Sequence, residues 1–359
     1  MTKSLKIKRL AINFLLAATL GSTALLNSGA VLAEPGEFVD GVLQPLADGF
    51  PSRALTLINV DDAGSRDGVY ARSMQEALRS ISPVDILVSD EPAPNYGSFY
   101  TIRDVATRDG GNEGYFPIIV TIPGATMDLL IEPITKETGM TVEDMNLIVS
   151  TDRIPYVLIQ RLDAPWGKTF AEMVTYAKAN PGKLKYISNQ VGSGNDIAME
   201  WIMQQVGITV TKIPAPDNNS QGAAIGAGEG DFGLAQANIA MQHFEAGRID
   251  VTMVTGNTVP AIWADNPNVV SGKAAGLPDA PFGIVVAFVA PKAVPKEHID
   301  WLFKLFKAGA ETELHKGREK TVPGAMINVL GPEDSNALKM QIFEYADPVI
   351  RSLGMHVDG

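Results

Sequence analysis

The sequence predicts a two-lobed α/β protein built on mainly parallel sheets flanked by helices, and three observations carry the prediction. Short apolar strands alternate with amphipathic helices along most of the chain. The 359 residues, 45% hydrophobic and 19% charged, can bury more than one core. A strand, a loop of small residues and a helix follow one another in the same grammar twice, about 130 residues apart.

The start of the chain reads as a targeting segment. Lys3, Lys6, Lys8 and Arg9 precede a mostly apolar run from Leu10 to Leu26, and Val31-Leu32-Ala33 offers small residues to a signal peptidase. Residues 1–33 are therefore expected to be a cleaved export signal, because Asn13 and Gly21-Ser22-Thr23 weaken the run as a membrane span. With no cysteine, neither a disulfide nor a cysteine-linked lipid is available, so the expectation is a freely diffusing periplasmic protein. Setting aside the four basic residues of the leader leaves 25 basic against 41 acidic side chains, a balance of −16. That charge argues against nucleic acid and anionic membrane surfaces as partners. It does not exclude a small anion, since local backbone N–H groups outweigh distant, screened charge.

After a Pro/Gly-containing stretch at 34–51, "ALTLINV" (54–60) reads as a strand, "DDAGSRDG" (61–68) as a loop, and "VYARSMQEALRSI" as a helix offering Val69, Met74 and Leu78 to the core. "GYFPIIVTIPGATMDLL" adds a strand and a small-residue loop at Thr121–Thr126. "NLIVSTDRIPYVLIQRL" reads as two strands broken near Arg153-Ile154-Pro155, where the chain crosses between lobes. In "TFAEMVTYAKANPG", Thr169 and Glu172 form a capping box and Phe170, Met173, Val174 and Ala177 follow helical spacing. "YISNQVGSGNDIAMEW" (186–201) then places Gly192-Ser193-Gly194 between a strand and a helix that turns Trp201 inward with Ala198, Ile202 and Val206. A helix through Met241–Ala246 stops at Gly247, and "IDVTMVTG" is a second crossing strand. "FGIVVAFVAP" and helices from Lys296 and Pro332 complete the first lobe, giving 52–152 plus 256–359 for lobe 1 and 153–255 for lobe 2.

Familiar chemistry is not found. Gly192-x-Gly194 fails as a dinucleotide fingerprint because Ile197 takes the third small position, and Leu162 stands where a phosphate loop ending in Gly167-Lys168-Thr169 needs glycine. "DNNSQG" (217–222) lacks calcium ligands at Gln221 and Gly228 and reads as a turn and helix cap. There is no G-x-S-x-G, S-x-x-K, H-E-x-x-H or thiol, and His243, His298, His315 and His356 lie far apart. No enzyme, cofactor or metal site is expected. What the loops offer is anion chemistry: a helix start exposes free N–H groups and a positive dipole end, and Gly or Ser lets the backbone come close. Arg66 can hold a carboxylate bidentately. The competing structural roles are a Ser193–Asp196 capping box and Asp67 as a helix cap; Tyr96, in "EPAPNYG", either lines a cleft or covers a turn.

"KTFAEMVTYAKANPGKLKYISNQVGSG" closely resembles the second-lobe segment of the extracytoplasmic solute receptors of tripartite tricarboxylate transporters, the Bug family. "FPSRALTLINVDDAGSRDGVYAR", "GEGDFGLAQANIAMQHFEAGRIDVTMVTG" and "AAGLPDAPFGIVVAFVAPKAVPKEHID" agree in order, so the likeness covers most of residues 50–310. It implies a type II periplasmic binding fold, two lobes joined by crossing strands and closing on a small carboxylated solute. By this resemblance, ligand contacts fall on Ala63, Gly64, Ser65, Arg66 and Asp67, on Ser188, Gly192, Ser193, Gly194 and Asn195, on Thr121, Gly124 and Thr126, and near Ser220. The departures sit in the same places: Asp61-Asp62-Ala63-Gly64-Ser65 replaces Pro-Phe-Ala-Pro-Gly-Gly, Glu91–Gly97 replaces a glycine-rich turn, Asp196 stands where many relatives have His, and Ala235-Gln236 replaces Asp-Asn. The reading implied is a monomeric receptor that delivers a carboxylate to membrane transporter subunits. An exported hydrolase using the same cleft, or a sensor for a signalling receptor, is the alternative.

Overall fold

The computed structural model describes residues 34–92, 97–278 and 282–358. The leader through Ala33 and the expectation on Tyr96 lie outside the described residues. A two-residue hairpin, β1 (Phe38–Val39) and β2 (Val42–Leu43), precedes β3 (Leu55–Asn59) and α1 (Arg66–Leu78). Helix α1 starts earlier than its apolar pattern suggests, because Ser65 caps it by accepting from the Gly68 N–H at 3.0 Å. Arg66 and Asp67 are thus its first turn rather than loop, and the cap is Ser65 rather than Asp67. Met74 and Leu78 are buried as expected, but Val69, on the opposite side of the helix from Leu78, faces solvent.

The chain continues through β4 (Ile86–Asp90), α2 (Gly97–Ala106), β5 (Ile118–Ile122), α3 (Gly124–Ile131) and α4 (Ile134–Thr138) into β6 (Met145–Arg161). Then come α5 (Phe170–Ala179), β7 (Lys185–Asn189), α6 (Gly194–Val206), β8 (Thr211–Ala215), α7 (Asn218–Gly226), β9 (Phe232–Gln236), α8 (Ala237–Glu245) and β10 (Ile249–Val254). The last third holds β11 (Val270–Ser271), β12 (Gly283–Pro291), α9 (Lys296–Ala310), α10 (Glu313–Lys316), α11 (Arg318–Thr321), β13 (Met326–Leu330) and α12 (Pro332–Ser352). The capping box on α5 forms as its sequence indicates, with Thr169 Oγ1 accepting from Glu172 N and Glu172 accepting from Thr169 N.

The strands β3 to β13 join in one curled sheet, ordered β4-β3-β5-β12-β6-β9-β7-β8 with β13 and β10 also on β6. Pairs β3–β4, β3–β5, β7–β8 and β7–β9 are parallel, whereas the pairings of β6 and the β5–β12 pair are antiparallel. Where the sequence suggests two strands, β6 is one unbroken strand of 17 residues. It changes partner midway: β12 pairs with it up to Pro155, and β9 takes over from Tyr156. Pro155 is tolerated at that exchange because a missing N–H costs least where one ladder ends and another begins. Beside it Thr255 donates its N–H to Tyr156 O at 2.9 Å and its hydroxyl to Phe282 O at 2.7 Å, so both crossing strands are knit at this point.

Two further features fix helices onto this frame. Asp152 of β6 accepts from Tyr70 Oη at 2.9 Å, His315 Nε2 at 2.7 Å and Arg318 Nε at 2.9 Å, which docks α1, α10 and α11 onto one buried carboxylate. Burial opposes its charge, but the His315 and Arg318 donors hold the Asp152 carboxyl below its ordinary range. Helix α12 reaches beyond the first-lobe strands to α6, where Trp201, Tyr345 and Phe282 form an aromatic cluster with ring centroids 5.3 to 6.3 Å apart. Trp201 is therefore core, as its spacing indicates. Replacing it by Ala should destabilise the protein by about 3 to 5 kcal/mol, read from the urea midpoint; a loss below about 1 kcal/mol would show that α12 does not brace α6.

Candidate ligand-binding cleft

Helix α1 begins after β3 and α3 after β5, on strands that run parallel to each other, while α6 begins after β7, which runs the opposite way in the sheet, so that its start faces theirs. Their starts meet. Arg66, in the first turn of α1, donates from Nη2 to Thr121 Oγ1 at 2.8 Å, and the Thr121 hydroxyl donates to Asp67 at 3.0 Å. Thr121 lies two residues before Pro123, the N-cap of α3. Pro123 in turn abuts the first residue of α6: a Cβ added to Gly194 would lie 2.9 Å from Pro123 Cγ and 2.7 Å from Tyr156 Oη. Segments far apart in sequence, around Ser65, Thr121 and Ser193, therefore come together beside the β6 crossing.

Local chemistry shapes the α6 turn. Ser193 caps the helix through its side chain, accepting from Asp196 N at 3.4 Å, while its hydroxyl donates to Asn189 O at 2.9 Å. The reciprocal half of a capping box is absent, since Asp196 accepts instead from Gly192 N at 2.9 Å, Ser188 Oγ at 2.6 Å and Lys212 Nζ at 2.7 Å. Gly192 has φ of +83°, a left-handed conformation that strains any residue with a side chain, and it packs beside Met355 and Ile131.

The expected contact residues fall into distinct roles. Arg66, Asp67, Thr121 and Gly194 converge as described. Gly64 and Gly124 border open space, with no atom within 4 Å of an added Cβ, and Ala63 is exposed beside them. Ser65 and Ser193 serve as caps, leaving the first N–H groups of their helices free for a guest. By contrast, the Ser188 hydroxyl is buried against Asp196, and the buried Thr126 hydroxyl donates to Pro123 O at 2.8 Å. Asn195 is buried and donates to Asn218 Oδ1 at 2.9 Å and Leu234 O at 2.7 Å, fastening α6 to α7 and β9. Ser220 joins the group only through that fastening, its N–H accepted by the α7 cap Asp217 at 2.7 Å.

Two groups escape the sequence reading. Tyr156 is 3% exposed, and its hydroxyl points at Gly194. Burial raises its pKa well above the ordinary phenol value, and the nearby Arg66 charge works the other way, so the hydroxyl stays a donor. Asp128 lies on the stripe of α3 that also carries Gly124 and Ile131. Burial, and then the charge of Glu132, push its carboxyl up to about 8.

Residues 87–315 match the family Tripartite tricarboxylate transporter family receptor. The chain belongs to that family. A UPF0065 protein of Bordetella pertussis is 27% identical over 254 residues, covering 69% of this chain and 74% of the relative. Among solved structures, a TctC solute binding protein from Polaromonas superposes with a TM-score of 0.74 at 18% identity over 84% of this chain and 99% of its own. A protein of R. palustris solved with adipate superposes with a TM-score of 0.61 at 20% identity, over 85% of this chain and 98% of its own. The tripartite tricarboxylate receptor thus has the periplasmic binding protein fold, α/β with a curled mixed sheet.

Two outcomes test this receptor's geometry. Gly194→Ala forces a methyl group against Tyr156 and Pro123, so it should weaken ligand affinity about tenfold or more while the ligand-free Tm changes little, because an open form relieves the clash; unchanged affinity in calorimetric titration would contradict it. For Asp128, the unfolded chain releases its proton near 3.8 but the fold keeps it to about 8, so stability falls as pH rises across that window. Asp128→Asn should gain Tm over the parent at pH 8 and little at pH 4, with a slope of at most about 1.4 kcal/mol per pH unit. A difference independent of pH would show that Asp128 is not desolvated.

Proposed function

We propose that this receptor captures a small organic carboxylate between two lobes, residues 52–152 with 256–359 and residues 153–255, and presents it to the membrane subunits of a tripartite tricarboxylate-type transporter. The observation that carries the reading is the meeting of the α1, α3 and α6 starts around Arg66 and Tyr156. Each exposed helix start favours an anion by roughly 0.3 to 1 kcal/mol, and up to about 2 when partly buried. Several such ends with one guanidinium approach the roughly 8 kcal/mol of a micromolar complex. Capture and delivery need no bond chemistry, and the chain acts as a binding protein, not an enzyme. Adipate in a relative of the same fold supports the ligand class. Export by cleavage after Ala33 and a periplasmic location follow from the leader and the family; among the described residues no helix is long and apolar enough to cross a membrane.

Closure couples to occupancy because only the shut form brings the α6 amides to a guest already touching α1. A thermal-shift screen of the purified protein with di-, tri- and aromatic carboxylates should find an acid that, at 100 times its dissociation constant, stabilises by about 2.7 kcal/mol. Arg66→Ala should weaken that acid while leaving the ligand-free Tm nearly unaltered. Silence across acids with a response to sugars refutes the class.

A further inference from the structure

The turn that opens α6 is held by two contacts of different kinds. One is polar, the Gly192 N–H donated to Asp196 at 2.9 Å. The other is apolar and comes from a segment remote in sequence: a Cβ added to Gly192 would lie 2.5 Å from Met355 Cε and 3.9 Å from Ile131 Cδ1. The Met355 methyl therefore rests on the Gly192 backbone beside Ile131 of α3, and both side chains pack against the core.

The segment after α12, residues 353–358, delivers Met355 to this place. Gly354 takes φ of +66°, the left-handed conformation that commonly ends a helix, and donates its N–H to Arg351 O at 3.0 Å, while Met355 N donates to Ile350 O at 3.1 Å. The chain then reaches α3, where Val357 N donates to Leu130 O at 2.8 Å and satisfies a carbonyl in the last turn of that helix. His356, between them, is buried; its Nδ1 accepts from Asp358 N at 3.0 Å and its Nε2 lies 3.3 Å from Asp347 Oδ1 of α12. Met355 is thus pinned on both sides. The last turn of α6 is fastened to the same stretch, since Gln204 Nε2 donates to Ser352 Oγ at 3.1 Å. His356, Val357 and Asp358 line a cavity of about 670 Å³, so the segment has room to withdraw if its apolar hold on the turn is lost.

We propose that Met355 is a positioning residue for the α6 end of the proposed site: packed on the Gly192 backbone beside Ile131, it sets where the amides of residues 192–195 stand relative to the start of α3. It acts through the turn. Because the pull of a helix end on an anion fades within one turn, a small retreat of α6 is enough to weaken capture. The inference rests on the receptor reading above, in which those amides take the carboxylate, and goes beyond it by making affinity depend on the segment that follows α12.

Met355→Ala and the volume-conserving Met355→Leu test it. Hydrogen exchange of the ligand-free protein is followed by mass spectrometry in peptides covering 190–196 and 61–68, and adipate, malate, succinate and citrate are titrated calorimetrically into each protein. In Met355→Ala the amides of the α6 turn should exchange about tenfold faster or more while those of 61–68 keep their rates, and the tightest of the four acids should bind about tenfold more weakly. Met355→Leu should stay within about threefold of the parent in both measurements. Exchange at the turn that is unaltered by Ala, or raised equally in both peptides, overturns the inference; so does faster exchange with unaltered affinity. Failure of all four acids to bind the parent counts against the carboxylate reading, and the exchange rates still decide whether Met355 places the turn.

Discussion

The contact on which the arrangement depends is made by a residue with no side chain. Gly194 opens α6, and its backbone lies so close to Tyr156 and Pro123 that there is no room for a methyl group. That approach brings the positive end of α6 up to the end of β5, where Thr121 is already bonded to Arg66 and Asp67 of α1. Anion capture by peptide dipoles is effective only within the first turn of a helix, so a displacement of a few ångströms would leave each helix end too weak alone. On the proposed function, bringing two of them together is what would turn modest individual contributions into recognition.

The frame that makes this possible is β6. Its single run spans both halves of the sheet, and the exchange of partners at Pro155 and Tyr156 puts the crossing directly under the site. Above the exchange, Asp152 gathers three donors and fixes α1 to the strand. Below it, β9 and β7 position α6, whose turn is held by the Asp196 carboxylate through Ser188, Gly192 and Lys212. The buried acids on the two sides thus do similar work, rigidifying the helix starts that present free amides. The α12 contact with Trp201 adds a brace from the first-lobe chain end to the second-lobe helix.

Much of this was legible in the sequence, because strands followed by small residues and a capped helix leave a local signature at β3–α1 and β7–α6 alike. Trp201 and the Thr169–Glu172 cap are decided by spacing within one helix, and spacing is visible. Direction is not. Ser188 and Thr126 have the right chemistry for a ligand, but their hydroxyls turn inward to Asp196 and Pro123. Tyr156 gains its role only when β6 changes partner, and a proline beside it reads as a break in the strand. Asp128 is a lone acid in the apolar run "ATMDLL", but its orientation depends on where α3 begins, which Pro123 sets. Val69 reads as core from its apolar side chain alone, but the face that buries Met74 and Leu78 turns Tyr70 inward instead.

The most direct test is a crystal structure of the protein with its best-binding acid. The account predicts a carboxylate within hydrogen-bond distance of Arg66, Tyr156 Oη and the first free amides of α6, with Gly194 still packed on Pro123. A guest bound elsewhere on the molecule, or one touching α1 while α6 stands apart from it, would contradict the account.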